Sequence, residues 1–375
     1  PDIKIIFYLS QFLSQGIINI YHYIAVHPEL STHGSFVYPP LAYFFFGTIF
    51  PVLKWLAGSG FTDWLGMGND AVAVPHLFRY LFLLKLPVIA AHLAVGYCLS
   101  RLISQPRRQS LALLVWFFNP ISIYAVAFMG QIDVLPVLAT VLALLWIKDR
   151  PYLSVFLLGL GAAFKTYPLL LLPFAALLAA RRFRHSLLLL ATGLLPYLLF
   201  ISPYLLTPAF YTDTLTSGLS QRILQIGLPI GSGESLLLVP VFLLFLLLTA
   251  AYLHRGQSHR FAAYCLAVTL IPIASSHFHP QWVLWSLPFV SLFLATQSFW
   301  SVALLFFGSF IGIIGLFPDK FLTWGLLSPL EPEILFLPSL VSLLPPVPVL
   351  LDLLHTIFFA ASVWMVWRFF LTSHE

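Results

Sequence analysis

Four basic residues lie in or at the edge of long apolar runs of this chain: Lys165, Lys85, Arg79 and Arg222. A charged side chain at the centre of a membrane helix costs about 2.5–3.5 kcal/mol on insertion scales, so each needs a function or a place at the membrane surface. A buried cation can bind a phosphate group through charge-assisted hydrogen bonds. We therefore expect these four residues to bind phosphate. Lys165 could instead snorkel to the surface, Arg79 could anchor at the interface, and Arg222 could be solvated.

Two polar turns between apolar runs carry side chains of the types that bind sugars. Amide, carboxylate and imidazole groups hydrogen-bond to hydroxyl groups, and an indole offers a flat apolar face. The residues expected to bind sugar or acceptor are Gln131, Asp133, Tyr167, His277, His279, Gln281 and Trp282. The two histidines could equally cap a helix. They indicate no metal site, because no third ligand is obvious nearby.

Asp2 is the first acid of the chain. A carboxylate is a natural general base for an acceptor hydroxyl, although a single acid near the start of a sequence indicates little by itself. The segment Gly231-Ser232-Gly233 lacks the spacing and context of a phosphate-binding glycine loop. We find no nucleophile elbow either.

The composition requires a membrane to surround these groups. Of 375 residues, 60% are hydrophobic and 8% are charged, and the mean hydropathy is +0.95; a soluble domain has about a quarter charged residues. Unbroken apolar runs such as 186–200 and 236–253 favour helices over strands. The expected fold class is an all-α polytopic membrane protein forming a single domain, 1–375.

Eleven apolar segments are candidate membrane helices. They are 78–99, 111–127, 134–147, 152–164, 167–180, 186–203, 236–253, 261–275, 282–296, 300–317 and 350–369. Several are shorter than the roughly 20 residues that cross a bilayer, which is tolerated where a half-span lines a cavity. Because nothing before Val37 resembles a signal peptide and the first residue is Pro1, we expect one more helix upstream.

Charge asymmetry predicts the orientation in the membrane. Basic clusters occur at alternate boundaries, so that 11 of the 18 Lys and Arg residues fall on one side, which the positive-inside rule assigns to the cytoplasm. The long connections 1–77, 204–235 and 318–349 are then extracytoplasmic, and we expect function there. In the first loop, we expect 37–56 to form an interfacial or re-entrant helix pair, with Pro39, Pro40 and Pro51 as helix breakers.

Other classes of function are disfavoured. The net charge of +5 comes from short clusters and not from a continuous basic stripe, so we expect no nucleic-acid partner. The two cysteines, Cys98 and Cys265, lie in apolar runs and offer neither a disulfide framework nor a thiolate metal site.

The order of several short motifs resembles the GT-C glycosyltransferases that use polyprenyl-phosphate sugars, over essentially the whole chain. Closest are the catalytic subunit of glycosylphosphatidylinositol mannosyltransferase I and the dolichyl-phosphate-glucose glucosyltransferases. No single motif is specific. The resemblance rests on Asp2, 16–21, Tyr38-Pro39-Pro40-Leu41, Asn119-Pro120, 130–133, Lys165-Thr166-Tyr167-Pro168, and His279-Pro280-Gln281-Trp282 with Leu284-Trp285.

This resemblance implies an inverting transfer of mannose or glucose from a polyprenyl-phosphate donor to an extracytoplasmic lipid-linked or glycan acceptor. Asp2 would be the base, and Lys165 and Arg222 would hold the phosphate. The enzyme would use no cofactor. Its partners would be the polyprenyl-phosphate hexose as co-substrate, the acceptor and the membrane lipids. Some relatives carry a second acid two residues after the first, where this chain has Lys4, so we expect no metal.

The implied location is a bacterial plasma membrane or the membrane of the endoplasmic reticulum, with the active site on the extracytoplasmic side. Two other classes compete. A transporter or lipid-carrier flippase also uses intramembrane charges and broken helices, but we see no inverted repeats. A non-catalytic scaffold gives no reason to keep Lys85 and Lys165 in apolar surroundings.

Overall fold

The computed structural model describes residues 2–216, 226–276, 279–297, 299–344 and 348–372, apart from the side chains of residues 2, 31–33, 69 and 348. This part of the chain is helical except for one small hairpin. The α-helices are α1 (Asp2–Ser10), α2 (Ile20–Val26), α3 (Pro40–Ala57), α4 (Phe61–Gly66), α5 (Leu77–Leu102), α6 (Pro106–Phe117), α7 (Pro120–Ser122), α8 (Val134–Trp146), α9 (Pro151–Ala162), α10 (Pro168–Ala179), α11 (Phe183–Ile201), α12 (Pro208–Phe210), α13 (Leu238–Tyr252), α14 (Phe261–Ser275), α15 (Leu287–Gln297), α16 (Trp300–Gly315), α17 (Leu340–Leu343) and α18 (Pro348–Thr372).

Short irregular helices fill many of the connections. The 3₁₀ segments are Gln11–Gln15, Pro28–His33, Asn69–Ala73, Ser202–Tyr204, Ser258–Arg260, Pro280–Trp285, Lys320–Leu322, Trp324–Leu327 and Pro332–Phe336, and the π-helices are Ile123–Phe128 and Tyr211–Leu215. An antiparallel hairpin of β1 (Gly227–Gly231) and β2 (Glu234–Leu237) pairs Gly227 with Leu237 and has a bulge near its turn.

Several helices have the length and composition of membrane spans. Four helices are each long and apolar enough to cross a membrane: α3, α5, residues Phe183–Tyr204 and residues Val349–Thr372. Two bent pairs, which include α1 with α2 and α6 with Pro120–Phe128, raise the number in the described part of the chain to six if each is one span. The protein is therefore an all-α membrane protein.

Each of the eleven predicted segments contains a helix, but most of these helices are short. Six apolar helices of 10–17 residues accompany the longer ones, and a straight crossing needs about 20 residues. The helices α14 and α15 are the interior of the bundle, because nearly all of their side chains are buried. The two helices that flank Lys165, α9 and α10, have 12 residues each, and they remain the predicted half-spans.

The expectation that Pro51 breaks a helix is wrong. In place of the expected helix pair within 37–56, one helix, α3, begins at Pro40 and continues through Pro51 to Ala57. A proline within a helix removes one backbone hydrogen bond. Here the helix buries Phe46 and Phe50 on one face, and the Phe46 ring lies 5.0 Å from that of Phe7 in α1. Burial of this face compensates for the lost bond.

The helices α8 to α11 pack closely in chain order, with α9 against α8, α10 and α11. At one crossing, α9 and α11 approach through glycines: a Cβ atom on Gly159 would lie 1.8 Å from the carbonyl oxygen of Gly193. Membrane helices commonly use such small residues to bring their backbones together. This contact holds α9, the helix that precedes Lys165, against α11.

We expect Gly159→Ala to destabilise the protein by about 1–3 kcal/mol or more, because the added methyl group overlaps backbone that cannot move aside cheaply. Gly308→Ala in α16 is the matched control, since a Cβ atom there meets nothing within 4 Å. That change should be neutral or stabilising, because alanine favours helix over glycine by about 0.5–1 kcal/mol. Thermal unfolding of both variants in detergent measures the difference, and equal midpoints would contradict the close packing.

Candidate active site

The turn at 129–133 presents the first polar group of the site. It follows the π-helix Ile123–Phe128 and contains Gly130, whose φ of +68° is the left-handed conformation that glycine adopts without strain. A Cβ atom on Gly130 would lie 3.0 Å from Cγ of Lys85 and 3.4 Å from Cγ2 of Ile3. The start of α1 and the middle of α5 therefore meet at this turn.

Asp133 directly precedes α8, but its side chain makes no helix-capping hydrogen bond. Instead the carboxylate, which is fully buried, accepts from Lys165: Nζ lies 2.7 Å from Oδ1 and 2.9 Å from Oδ2. The indole N–H of Trp285 also donates to Oδ1. The charge of Asp133 is thus compensated by an ammonium group and satisfied by an indole, as a buried carboxylate requires.

Aromatic rings surround the ammonium group of Lys165. Its Nζ lies 5.3 Å from the ring centre of Trp285, 5.6 Å from that of Tyr38 and 5.9 Å from that of Trp282. These distances are within the range of cation–π attraction. The ammonium group is held by Asp133 and these rings, and the Lys165 side chain keeps 18% of its surface exposed.

The two tryptophans are presented by the 3₁₀ helix Pro280–Trp285, which begins with a proline at its first position. Residues three apart lie on the same face of a 3₁₀ helix, and the two indoles stack with centres 5.3 Å apart and planes at 21°. The ring of Tyr167 also stacks on that of Trp285, with centres 4.3 Å apart and planes at 6°. The rings form a continuous stack that holds the Trp285 N–H toward Asp133.

We expect Trp285→Phe to keep most of this stack and remove the hydrogen bond to Asp133. Hydrogen bonds to charged groups contribute about 1.5–3 kcal/mol, so the variant should lose a comparable amount of stability and about tenfold or more in activity as Asp133 and Lys165 lose their fixed orientation. Trp55→Phe is the control, because Trp55 is 79% exposed on α3. Unfolding midpoints and transfer rates of the two variants test this; equal effects would show that the bond to Asp133 does not matter.

Other predicted sugar-binding residues lie around this centre. Gln131 and Gln281 are buried, and the ring of His279 packs 5.2 Å from that of Trp282. The side-chain oxygen of Gln281 is buried and accepts no hydrogen bond from any described residue. Tyr167 is buried, and its hydroxyl lies 3.4 Å from Oγ1 of Thr140. Asp133 contacts Lys165, and Tyr167 contacts Trp285. Both Asp133 and Tyr167 expose almost no surface.

The predicted phosphate-binding residues do not all meet. Lys165 is at the centre just described, and Lys85 lies next to the same turn, where Nζ donates to the carbonyl oxygens of Ala127 at 2.7 Å and Phe128 at 2.9 Å. Arg79 is exposed and donates to the carbonyl oxygen of Leu56 at the end of α3. Arg222 and His277 lie outside the described residues, and so does the side chain of Asp2.

Sequence reasoning missed Tyr38 and Trp285 as members of the site, although both stand in the motifs that carry the resemblance. The spacing of Trp282 and Trp285 was the available signal, since residues three apart share a face of any helix. Tyr38 gave no local signal, because only the tertiary packing brings it to Lys165.

Among the described residues, no group of three or more His, Cys, Asp or Glu side chains could hold a metal ion.

The arrangement combines a fixed cation with stacked indoles inside a bundle of membrane helices. A cation stabilises developing negative charge on a phosphate oxygen, and aromatic faces with buried amides suit a polyhydroxyl ring. The fold and the site together define a candidate active site within a membrane protein. The profile of glycosyltransferase family 87 matches residues 36–276, well over half of the chain and including Asp133 and Lys165.

The chain belongs to glycosyltransferase family 87 and is a membrane glycosyltransferase. Searches of curated proteins and of solved structures gave no match. Family membership favours the enzyme over the transporter and scaffold interpretations. The predicted classification as a glycosyltransferase is confirmed.

Proposed function

We propose that this glycosyltransferase transfers a hexose from a polyprenyl-phosphate donor to an extracytoplasmic lipid-linked or glycan acceptor, with inversion at the anomeric carbon. The observation that carries the proposal is the ammonium group of Lys165, fixed by buried Asp133 and flanked by Trp282 and Trp285. A sugar phosphate needs a cation at the phosphate and apolar surface beside the ring, and this centre supplies the ammonium group and the edges of the stacked indoles.

Lys165 stabilises the departing phosphate in this proposal. An ammonium group has three N–H donors, and the oxygens of Asp133 accept at 2.7 and 2.9 Å, which leaves donor capacity toward the exposed side. Because Asp133 and the rings already fix the cation, little reorganisation is needed when charge develops on the leaving oxygen. Asp133 acts through Lys165 and is a positioning residue.

Asp2 is the general base. Ile3, its neighbour in α1, lies beside Gly130, so the start of α1 is close to the turn that carries Asp133. The acceptor hydroxyl oxygen forms a bond to the anomeric carbon, and the bond from that carbon to the phosphate oxygen breaks. The electron pair stays on the phosphate, which Lys165 stabilises, and the hydroxyl proton passes to Asp2. Attack opposite the leaving group inverts the anomeric configuration.

Sugar and acceptor contacts come from the exposed edges of the same centre. Trp282 and Trp285 each keep 7% exposure, and His279 and Gln281 precede them in the chain. Gln131 lies in the turn before Asp133. We assign these residues, with His277, to hydroxyl recognition, and Tyr167 and Asp133 to the wall behind the sugar. Arg222 and Arg79 remain proposed phosphate ligands.

The orientation follows from the charge asymmetry. We propose eleven membrane helices with the basic boundaries in the cytoplasm and with 1–77, 204–235 and 318–349 on the other side. Asp133 at the start of α8 and Lys165 after the end of α9 then lie near the extracytoplasmic surface. The sugar, mannose or glucose, is taken from the resemblance to mannosyltransferase I and the dolichyl-phosphate-glucose glucosyltransferases. The enzyme needs no cofactor beyond its lipid co-substrate.

Comparing donors tests the proposal. The purified protein, reconstituted in vesicles, is supplied with mannose or glucose on polyprenyl phosphate or on a nucleotide. Native membranes that lack the enzyme provide the acceptor. We expect radiolabel to move to acceptor from a polyprenyl-phosphate sugar only, and to be lost in Lys165→Met. Transfer from a nucleotide sugar alone would refute the proposed donor.

A further inference from the structure

Two motifs of the sequence, 16–21 and Tyr38-Pro39-Pro40-Leu41, meet at one hydrogen bond. The hydroxyl group of Tyr21 donates to the backbone carbonyl oxygen of Tyr38 at 2.6 Å. The Tyr21 side chain is almost fully buried, and a buried hydroxyl group needs such a partner. The bond therefore holds the backbone of the second motif against α2, the helix that contains Tyr21.

The Tyr38 end of this bond lies at the Lys165 centre. The ring centre of Tyr38 is 5.6 Å from Nζ of Lys165. Three residues further along, the backbone N–H of Leu41 donates to the carbonyl oxygen of Ala163 at 3.2 Å. Ala163 precedes Lys165 by two residues, in the connection between α9 and α10. The start of α3 and the turn that carries Lys165 are thus joined both through the backbone and through the Tyr38 ring.

Two prolines stiffen the chain between the Tyr38 carbonyl group and α3. Pro39 and Pro40 follow Tyr38, and a proline ring fixes its own φ angle; φ is −58° at Pro39. A residue before a proline is itself confined to extended conformations. The hydrogen bond from Tyr21 to this carbonyl oxygen sets the direction that remains free, and with it the position of the Tyr38 ring.

The Tyr21 ring is itself held in place by other rings. Its centre lies 4.7 Å from that of Phe210, 5.5 Å from that of Tyr204 and 5.9 Å from that of Phe36, in each case edge to face, an arrangement that aromatic pairs favour. The Tyr204 hydroxyl group donates to the carbonyl oxygen of Ile18 at 3.2 Å. The Tyr21 ring cannot turn without disturbing this cluster, so its hydroxyl group points in one direction.

We propose that Tyr21 is a positioning residue of the transfer reaction: through its hydrogen bond to Tyr38, it holds the Tyr38 ring beside the ammonium group of Lys165. The inference rests on the proposed function, in which Lys165 stabilises the leaving phosphate. Cation–π attraction depends on the position of the ring relative to the cation. A displaced Tyr38 ring therefore changes where the ammonium group lies when charge develops on the leaving oxygen.

Two matched variants test the positioning role. Tyr21→Phe keeps the ring and removes the hydroxyl group. Tyr43→Phe is the control, because Tyr43 is also almost fully buried and its hydroxyl group donates to a backbone carbonyl oxygen, that of Ile17, at the same 2.6 Å. Each variant loses one hydrogen bond of the same type and length. We expect similar decreases in their unfolding midpoints in detergent.

Transfer rates should separate the two variants. Misplacement by about 1 Å in an active site costs as much as about 10²-fold in rate, so we expect Tyr21→Phe to lower kcat by about tenfold or more. The KM for polyprenyl-phosphate hexose should change little, because the lost interaction acts on the transition state. Tyr43→Phe should keep nearly the wild-type kcat. Equal kcat values for the two variants would overturn the inference, because the Tyr21 hydrogen bond would then be structural only.

A double variant tests the route through Tyr38. Tyr38→Leu removes the ring, so adding Tyr21→Phe should cause no further loss of kcat, whereas independent sites have additive effects. The same holds in the background of Lys165→Met, where there is no ammonium group to position. An additive loss of kcat in either background would show that Tyr21 acts by another route, and would overturn the inference.

The proposed function can fail separately. A wild-type kcat in Lys165→Met would refute the role of the ammonium group, and the double variant with Tyr38→Leu would then still show whether Tyr21 acts through Tyr38. A large loss of kcat in Lys165→Met, together with equal kcat values in Tyr21→Phe and Tyr43→Phe, would leave the proposed function standing and overturn the role of Tyr21 alone.

Discussion

Replacing Asp2 with asparagine is expected to reduce hexose transfer by about 10²–10⁴-fold, the contribution of a positioned general base. The amide keeps the size of the carboxylate but cannot take the proton of the acceptor hydroxyl. Asp2 begins α1, so the change should leave the buried face of that helix intact. Initial rates with saturating polyprenyl-phosphate mannose and glucose, in vesicles, are the measurement.

Asp63→Asn is the matched control, because Asp63 is exposed in the first turn of α4. It should retain the wild-type rate. A role in catalysis also predicts that the remaining activity of Asp2→Asn rises less steeply with pH than that of the wild type, since the titrating base is gone. Wild-type activity in Asp2→Asn would remove Asp2 as the base.

Replacing Asp133 with asparagine is expected to lower both stability and activity. The change leaves the ammonium group of Lys165 without its counter-charge. Breaking a fully buried ion pair costs about 3–5 kcal/mol, and because Lys165 is 18% exposed we expect a smaller loss, about 2–3 kcal/mol. Transfer should fall at least a hundredfold, because Lys165 is no longer fixed beside the tryptophans.

A double variant separates the two effects. Asp133→Asn with Lys165→Met removes both charges, which is often nearly neutral for stability. Its unfolding midpoint should return toward that of the wild type while transfer stays low. If activity returned together with stability, the pair would be structural, and the ammonium group would have no part in the reaction.

The ion pair could have been predicted from helix lengths. The sequence identified Asp133 and Lys165 separately, as a sugar ligand and a phosphate ligand, 32 residues apart. Asp133 precedes α8 and Lys165 follows α9, two packed helices of 13 and 12 residues. Two consecutive helices of nearly equal length that pack side by side in opposite directions return the chain to its starting level. The predicted segments 134–147 and 152–164 already contained this information.

Other features depend on tertiary contacts that a local pattern does not contain. Pro51 was predicted to break a helix, but the burial of Phe46 and Phe50 holds α3 together through it. Tyr38 reaches Lys165 only through the packing of distant segments, so its local sequence gave no signal. The short apolar runs were correctly placed as helices because hydrophobic length is a local property.

The rate of sugar transfer by Lys165→Met, measured against the concentration of polyprenyl-phosphate hexose, tests the central claim most directly. Lys165→Met keeps an unbranched side chain, one atom shorter than that of lysine, and removes the charge that is proposed to stabilise the leaving phosphate. With folding confirmed by its unfolding midpoint, we predict a fall in kcat of about 10²–10³-fold, comparable to the loss of one transition-state donor. A kcat equal to that of the wild type would contradict the assignment of this centre as the active site.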